Sequence, residues 1–222
     1  LKGDKMKNSL KKRCILYDDS KEKDIVNNPK KFKNLKGFIV NNWTPTDRLV
    51  TRTLKSKNVQ NIYYKINVFD KTIAAIKKRI TKAKQLGFTG IAIDGEAYSD
   101  SKIWSTLSKQ QAKNFGMSIR TAIDSSCLET ILLPEYLGME DKYKNYEPFI
   151  DGLCPRKILM ERTYNEWYPW KLIMFWNRNK KYYGEKCIGI WQDEVPWYGR
   201  WIQRTTAKLL SSTIFWYTQE KI

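Results

Sequence analysis

Strand-like segments recur along this chain at a spacing that few folds can use. They are rich in β-branched and aromatic residues and centre near residues 15, 39, 64, 92, 131, 159, 189 and 215. Helical patterns separate most of them. The clearest is "DKTIAAIKKRITKAKQLG", where Ile73, Ile76, Ile80, Ala83 and Leu86 fall three to four apart. Lysines cover its other face, Asp70 is its expected N-cap and Gly87 its stop. A second helix, in "SKIWSTLSKQQAKNFGMSIRTAID", carries Gly116 as an expected interruption. "YKNYEPFIDGL", "YPWKLIMFWNRN" and "RWIQRTTAKLL" supply further helices. A helix that ends in Gly and feeds a strand after a short link is half of a βαβ unit. Eight such units in 222 residues predict an α/β protein, a compact (β/α)8 TIM barrel. We expect a single domain over 1–222, with a basic, irregular N-terminal portion at about 1–35. The alternative, an open doubly wound sheet, lacks the Gly-rich phosphate loop it would carry at a strand exit.

Histidine is absent. That removes Ser-His and Cys-His nucleophile pairs, His-ligated zinc and imidazole bases together. Acid–base chemistry near neutral pH then falls to carboxylates, Tyr, Lys or Cys. Cys14, Cys127, Cys154 and Cys187 form no paired metal-ligand spacing and are expected as buried thiols. No cofactor or metal is implied. The formal charge of +18 is mostly lysine spread over the first 35 residues, one helix face and "NRNKKYYGEK". This fits nonspecific attraction to anionic surfaces or polyanions better than specific nucleic-acid binding. No apolar run reaches the length of a membrane span. The chain begins at Leu1 without an apolar signal core, so we expect a trimmed or processed protein whose targeting signal is not visible. Location is left open, with secreted, cell-surface or virion-associated favoured over cytoplasmic.

In a barrel of this kind the active site gathers at the C-terminal ends of the strands. Carboxylates, amides and aromatics recur there: Asn42 and Trp43, Asp94, Glu96 and Tyr98, Glu135, Glu161 and Tyr164, Trp191, Asp193 and Glu194, and Tyr217. Trp and Tyr faces stack on sugar rings, and amides and carboxylates hydrogen-bond to hydroxyls. Two carboxylates suffice to cleave a glycosidic bond, and that chemistry requires neither His nor metal. Strand alternation in "GFTGIAIDGEAYSD" puts Ala92, Asp94 and Glu96 on one face and Ile91 and Ile93 on the other, under the helices. Like charges two residues apart on one face raise one carboxyl's pKa. Asp94 is thus expected to help keep Glu96 protonated as general acid. The second catalytic carboxylate is sought among Glu161, Asp193 and Glu194. Asn42, Trp43, Tyr98, Glu135, Tyr164, Trp191 and Tyr217 are the candidate substrate contacts.

"FTGIAIDGE" resembles the strand-four signature of chitinase-type glycoside hydrolases, which ends in Asp-x-Asp-x-Glu. Asp94 and Glu96 match its last two acids, while Thr89 and Ala92 stand at two positions that are acidic there. The strand-four Glu is also similar to that of the large retaining-glycosidase clan, which implies an acid/base at Glu96 and a strand-seven nucleophile at Asp193 or Glu194. That clan carries Asn directly before the Glu, where this chain has Gly95. The expectation is a glycosidase acting on an oligo- or polysaccharide. The alternatives are a non-catalytic carbohydrate-binding, virion or cell-surface module on the same scaffold and, more weakly, a nucleic-acid-binding protein.

Overall fold

The computed structural model describes residues 14–18, 22–40, 48–68, 72–94, 106–133, 146–159, 170, 173–174, 176–177, 180–181, 184–192, 197–210 and 214–218. Strands and helices alternate: β1 (Cys14–Asp18), α1 (Glu22–Asn27), β2 (Gly37–Val40), α2 (Leu49–Ser56), β3 (Asn61–Asn67), α3 (Ile73–Leu86), β4 (Gly90–Asp94), α4 (Lys109–Ser125), β5 (Glu129–Leu133), α5 (Tyr146–Leu153), β6 (Lys157–Leu159), β7 (Cys187–Gln192), α6 (Trp197–Leu210) and β8 (Ile214–Thr218). The described residues between 170 and 181 are helical as well. All ladders are parallel, each strand pairs with the next in sequence, and β8 pairs back to β1. The chain is therefore an α/β protein built on a parallel sheet.

Alternation along the strands divides the buried residues into two layers. Leu16, Phe38, Val40, Ile62, Tyr64, Ile66, Ile91, Ile93 and Leu132 join Ile76, Ile80 and Ala83 of α3 and Ile119 and Ile123 of α4 in one cluster. The intervening positions Ile15, Ile39, Tyr63, Ala92, Ile131 and Leu133 are buried outside that cluster, on the opposite face of the sheet. The two faces expected for "GIAID" are those observed.

Local chemistry accounts for the helix ends, with two departures from expectation. Helix α3 is capped by Thr72, whose Oγ1 accepts from the Ala75 N–H at 3.2 Å, two residues inside the expected Asp70, itself outside the described residues. Gly87 ends the helix at φ 87°, a left-handed turn that Gly adopts without steric cost. Helix α4 begins with a capping box between Ser108 and Gln111 and runs unbroken through Gly116. A side chain at Gly116 would run into the Phe149 carbonyl, and one at Gly152 into the Lys113 carbonyl. These glycines therefore let α4 and α5 pack backbone to backbone, which is why an apparent breaker sits mid-helix. Part of the N-terminal portion expected to be irregular is helical, at Glu22–Asn27 and a 3-10 turn at Pro29–Phe32. Burial of Ile25, Phe32 and Leu35 fixes it, where six residues alone could not hold a helix. Cys14 is buried as expected, whereas Cys127 and Cys154 are exposed. Both take left-handed backbone, at φ 54° and 44°, in the turns that leave α4 and α5. Local geometry, rather than an apolar site, places them.

Candidate functional site

The face of the sheet away from the helices carries charge at both ends. At the strand starts Tyr63 lies across Gly90: a Cβ there would stand 2.5 Å from Tyr63 Cδ1. The Tyr63 hydroxyl donates to Glu129 Oε2 at 2.7 Å, and Arg156 Nε stands 3.6 Å from Glu129 Oε1. Burial pushes the Tyr63 phenol well above the ordinary tyrosine range, and the Glu129 carboxylate beside it raises it further. This group closes the end of the sheet opposite the expected site.

At the strand exits stands Asp94, the last residue of β4, with Asn67 of β3 and Leu133 of β5 in register on either side. Its carboxylate is buried, and Lys65 of β3 reaches it with Nζ 2.6 Å from Oδ2. The carboxylate side chain is 3% exposed and the lysine 19%, so the ammonium is the more open partner. The Asp94 carbonyl also accepts from the Val68 N–H at 3.4 Å. Lys65 was not anticipated from sequence, although "NIYYKIN" contains the signal. Asn61, Tyr63, Lys65 and Asn67 alternate with the helix-facing Ile62, Tyr64 and Ile66, so the lysine shares a face with Tyr63. A Lys on a strand ordinarily reads as solvent-facing. Only the β3–β4 pairing, Lys65 with Ala92 and Asn67 with Asp94, turns it into a counter-ion.

The ladders also place two of the expected substrate contacts. Gln192, Tyr217 and Tyr17 are successive backbone partners in one row of the ladders that continues to Ile39 and Tyr63. Trp191 lies in the neighbouring row of the backbone register, with Trp216, Leu16 and Phe38. Asn42, Trp43, Glu96, Tyr98, Glu135, Glu161, Tyr164, Asp193 and Glu194 lie outside the described residues. Among the described residues no three His, Cys, Asp or Glu side chains gather as a metal-ligand set. Chemically, the described part of the site offers a buried carboxylate paired with an ammonium at the C-terminal edge of the sheet.

No family model matches the chain, and no curated protein matches it in sequence. Solved structures do resemble it in fold. A 2,3-dimethylmalate lyase of the PEP mutase/isocitrate lyase superfamily aligns at TM-score 0.62 and 7% identity, over 97% of this chain and 80% of that one. A class V chitinase from Pseudomonas fluorescens Pf-5 aligns at 0.57 and 14%, over 81% and 68%. A sialic acid aldolase from Ruminococcus gnavus aligns at 0.55 and 11%, over 92% and 68%. At these identities the likeness is one of fold.

Proposed function

We propose that this chain is an enzyme on a single (β/α)8 barrel and that it hydrolyses glycosidic bonds. The register supports the barrel. Carrying the pairing from Ile15 of β1 through all eight ladders returns to β1 displaced by eight residues, the shear that accompanies eight strands. The site would then lie at the strand exits, where Asp94 stands.

The observation that carries the hydrolase reading is the buried Asp94–Lys65 pair two residues before Glu96, in a chain without histidine. Glu96 protonates the leaving oxygen, and one of Glu161, Asp193 and Glu194 acts as nucleophile or as base on water. Lys65 changes the role expected of Asp94. With an ammonium at 2.6 Å its charge is largely met, so Asp94 raises Glu96 less than an unpaired neighbour would. Asp94 serves instead as a fixed anion at the mouth, and Glu96 carries the proton. Tyr217, whose backbone pairs with Tyr17 across the β8–β1 ladder, is kept as a candidate substrate contact. The two chitinases among the fold neighbours are compatible with this chemistry. The test is hydrolysis of a panel of oligo- and polysaccharides by the wild type and Glu96→Gln. Loss of turnover in the variant with binding retained is expected; equal turnover in both refutes the assignment of Glu96. Glycan binding without turnover in the wild type would return the chain to a carbohydrate-binding module.

A second reading, a carbon–carbon lyase, has one observation in its favour: Lys65 brings a primary amine to the inner face of the sheet. A lysine that adds to a carbonyl must be unprotonated, and the Asp94 carboxylate at 2.6 Å favours the ammonium. This reading therefore ranks second. Borohydride reduction with a 2-oxo acid, followed by mass analysis of the Lys65 peptide, separates the two.

A further inference from the structure

Two helices on the outside of the sheet repeat a pattern. Trp170, Met174, Asn177 and Lys181 follow one another at steps of four, three and four residues, and so do Trp197, Trp201, Arg204 and Lys208. These steps line up along one helix face. The tryptophan ends of these faces are turned outward: Trp170 is 63% exposed, Met174 56%, Trp197 74% and Trp201 66%, with Ile173, Tyr198 and Leu209 exposed beside them, while Arg204 and Lys208 are half-buried. Trp176, on the other side of the first segment, is buried. The segments follow consecutive, paired strands, β6 and β7, and therefore lie on neighbouring stretches of the same outer face. In each, the lysine stands eleven residues after the tryptophan, about 16 Å along a helix.

We propose that these two faces form a docking surface for an anionic lipid bilayer, on which the protein lies without crossing. Exposed apolar residues grouped this way mark an interaction site. Trp, Tyr, Leu, Ile and Met alternating with Lys and Arg are the composition of a segment seated in the headgroup region. No helix among the described residues is long and apolar enough to span a membrane. Charge chooses among the possible occupants. A second copy of this chain would also carry +18, and the two would repel. A single-stranded nucleic acid would meet the charge and could stack on the tryptophans, but it would leave the exposed Ile173, Met174 and Leu209 without an apolar partner. A bilayer with acidic headgroups meets both the aliphatic residues and the charge.

The experiment is flotation of the full chain with vesicles of phosphatidylcholine, with and without phosphatidylserine, at low and high salt. It is done for the wild type, Trp197→Ala/Trp201→Ala and Trp170→Ala/Met174→Ala. These side chains are exposed, and unchanged melting curves confirm that the variants fold. We expect the wild type to float with the acidic vesicles. Binding should fall on the order of tenfold in either variant, and again at about 0.5 M salt. Absence of wild-type flotation overturns the proposal. So does binding that the variants leave unchanged, which would be lysine adhesion alone. A dimer in sedimentation, or single-stranded RNA binding, abolished by the same substitutions while vesicle binding persists, would reassign the face.

Discussion

Replacing Lys65 by methionine tests the pair at the strand exits, because it keeps the side-chain length and removes the charge. At 2.6 Å the attraction between Nζ and the Asp94 carboxylate is about 6 kcal/mol with an effective dielectric of 20. Desolvation of both groups offsets roughly half of this, and breaking such a pair typically costs about 3 kcal/mol or more, because the remaining charge stays buried. The asymmetry of exposure predicts an asymmetry of effect. In Lys65→Met the carboxylate, 3% exposed, has no route to water, whereas in Asp94→Asn the lysine, 19% exposed, can turn its ammonium outward. Lys65→Met should thus cost about 3 kcal/mol at pH 7 and Asp94→Asn about 1 kcal/mol. The double variant Lys65→Met/Asp94→Asn should cost less than the two single changes together. The sign of the pH effect follows. A buried carboxyl without its cation prefers the proton more in the folded chain than in the unfolded one, so the deficit of Lys65→Met is full at neutral pH and shrinks as the solution is acidified. Urea denaturation followed by circular dichroism reads this as a midpoint shift of roughly 1 M or more at pH 7. The same deficit at pH 4.5 and pH 7, or strict additivity in the double variant, would refute the reasoning.

Tyr63→Phe removes the hydrogen bond to Glu129 and should cost about 2 kcal/mol at pH 7. The folded-state phenol is raised above the unfolded one, so its contribution is complete below pH 10 and lost as pH rises further; the gap between wild type and Tyr63→Phe in denaturant melts should close at alkaline pH. Gly152→Ala drives a methyl into the Lys113 carbonyl of α4 and should destabilise by about 2 kcal/mol, outweighing the roughly 1 kcal/mol that alanine adds in a helix; a neutral midpoint would show that α4 and α5 can separate freely. Cys127→Gly relieves a left-handed non-glycine residue at φ 54° and should raise stability by about 1 kcal/mol, read as an upward shift in melting temperature.

What could be read from sequence follows the range over which each signal acts. The strands and α3 were legible because a buried strand repeats every two residues and an amphipathic helix every 3.6, within one local window. Ile91 and Ile93 could be assigned to the helix side, and Asp94 to the other, from five residues alone. Gly116 was misread because its helix-breaking tendency is local, while its reason for being there, contact with the turn around Phe149, is 33 residues away. Lys65 was missed for a similar reason. Its charge matters only once β3 is known to lie beside β4 with this register, and register is set by the whole sheet rather than by the strand. The helix at Glu22–Asn27 escaped because it is too short to show a period and is held by distant burial.

The Asp94–Lys65 pair also changes how the opening motif divides its work. Two carboxylates one residue apart could share a proton, and then neither would have a fixed role. A cation 2.6 Å from Asp94 breaks that equivalence. It stabilises the negative charge on Asp94, and under the proposed function Glu96 is then the carboxyl that carries the proton. The departures from the chitinase-type motif fit this division. Where that motif carries an acidic residue two positions before Asp94, this chain has Ala92, and Ala92 is the β4 partner of Lys65 in the ladder. A small residue there leaves the lysine a clear path along the sheet to Asp94, and an acid in its place would compete for the same ammonium. Ala92→Asp should accordingly draw Lys65 away from Asp94 and move the acidic limb of any glycosidase pH profile, whereas Ala92→Ser should leave that limb in place.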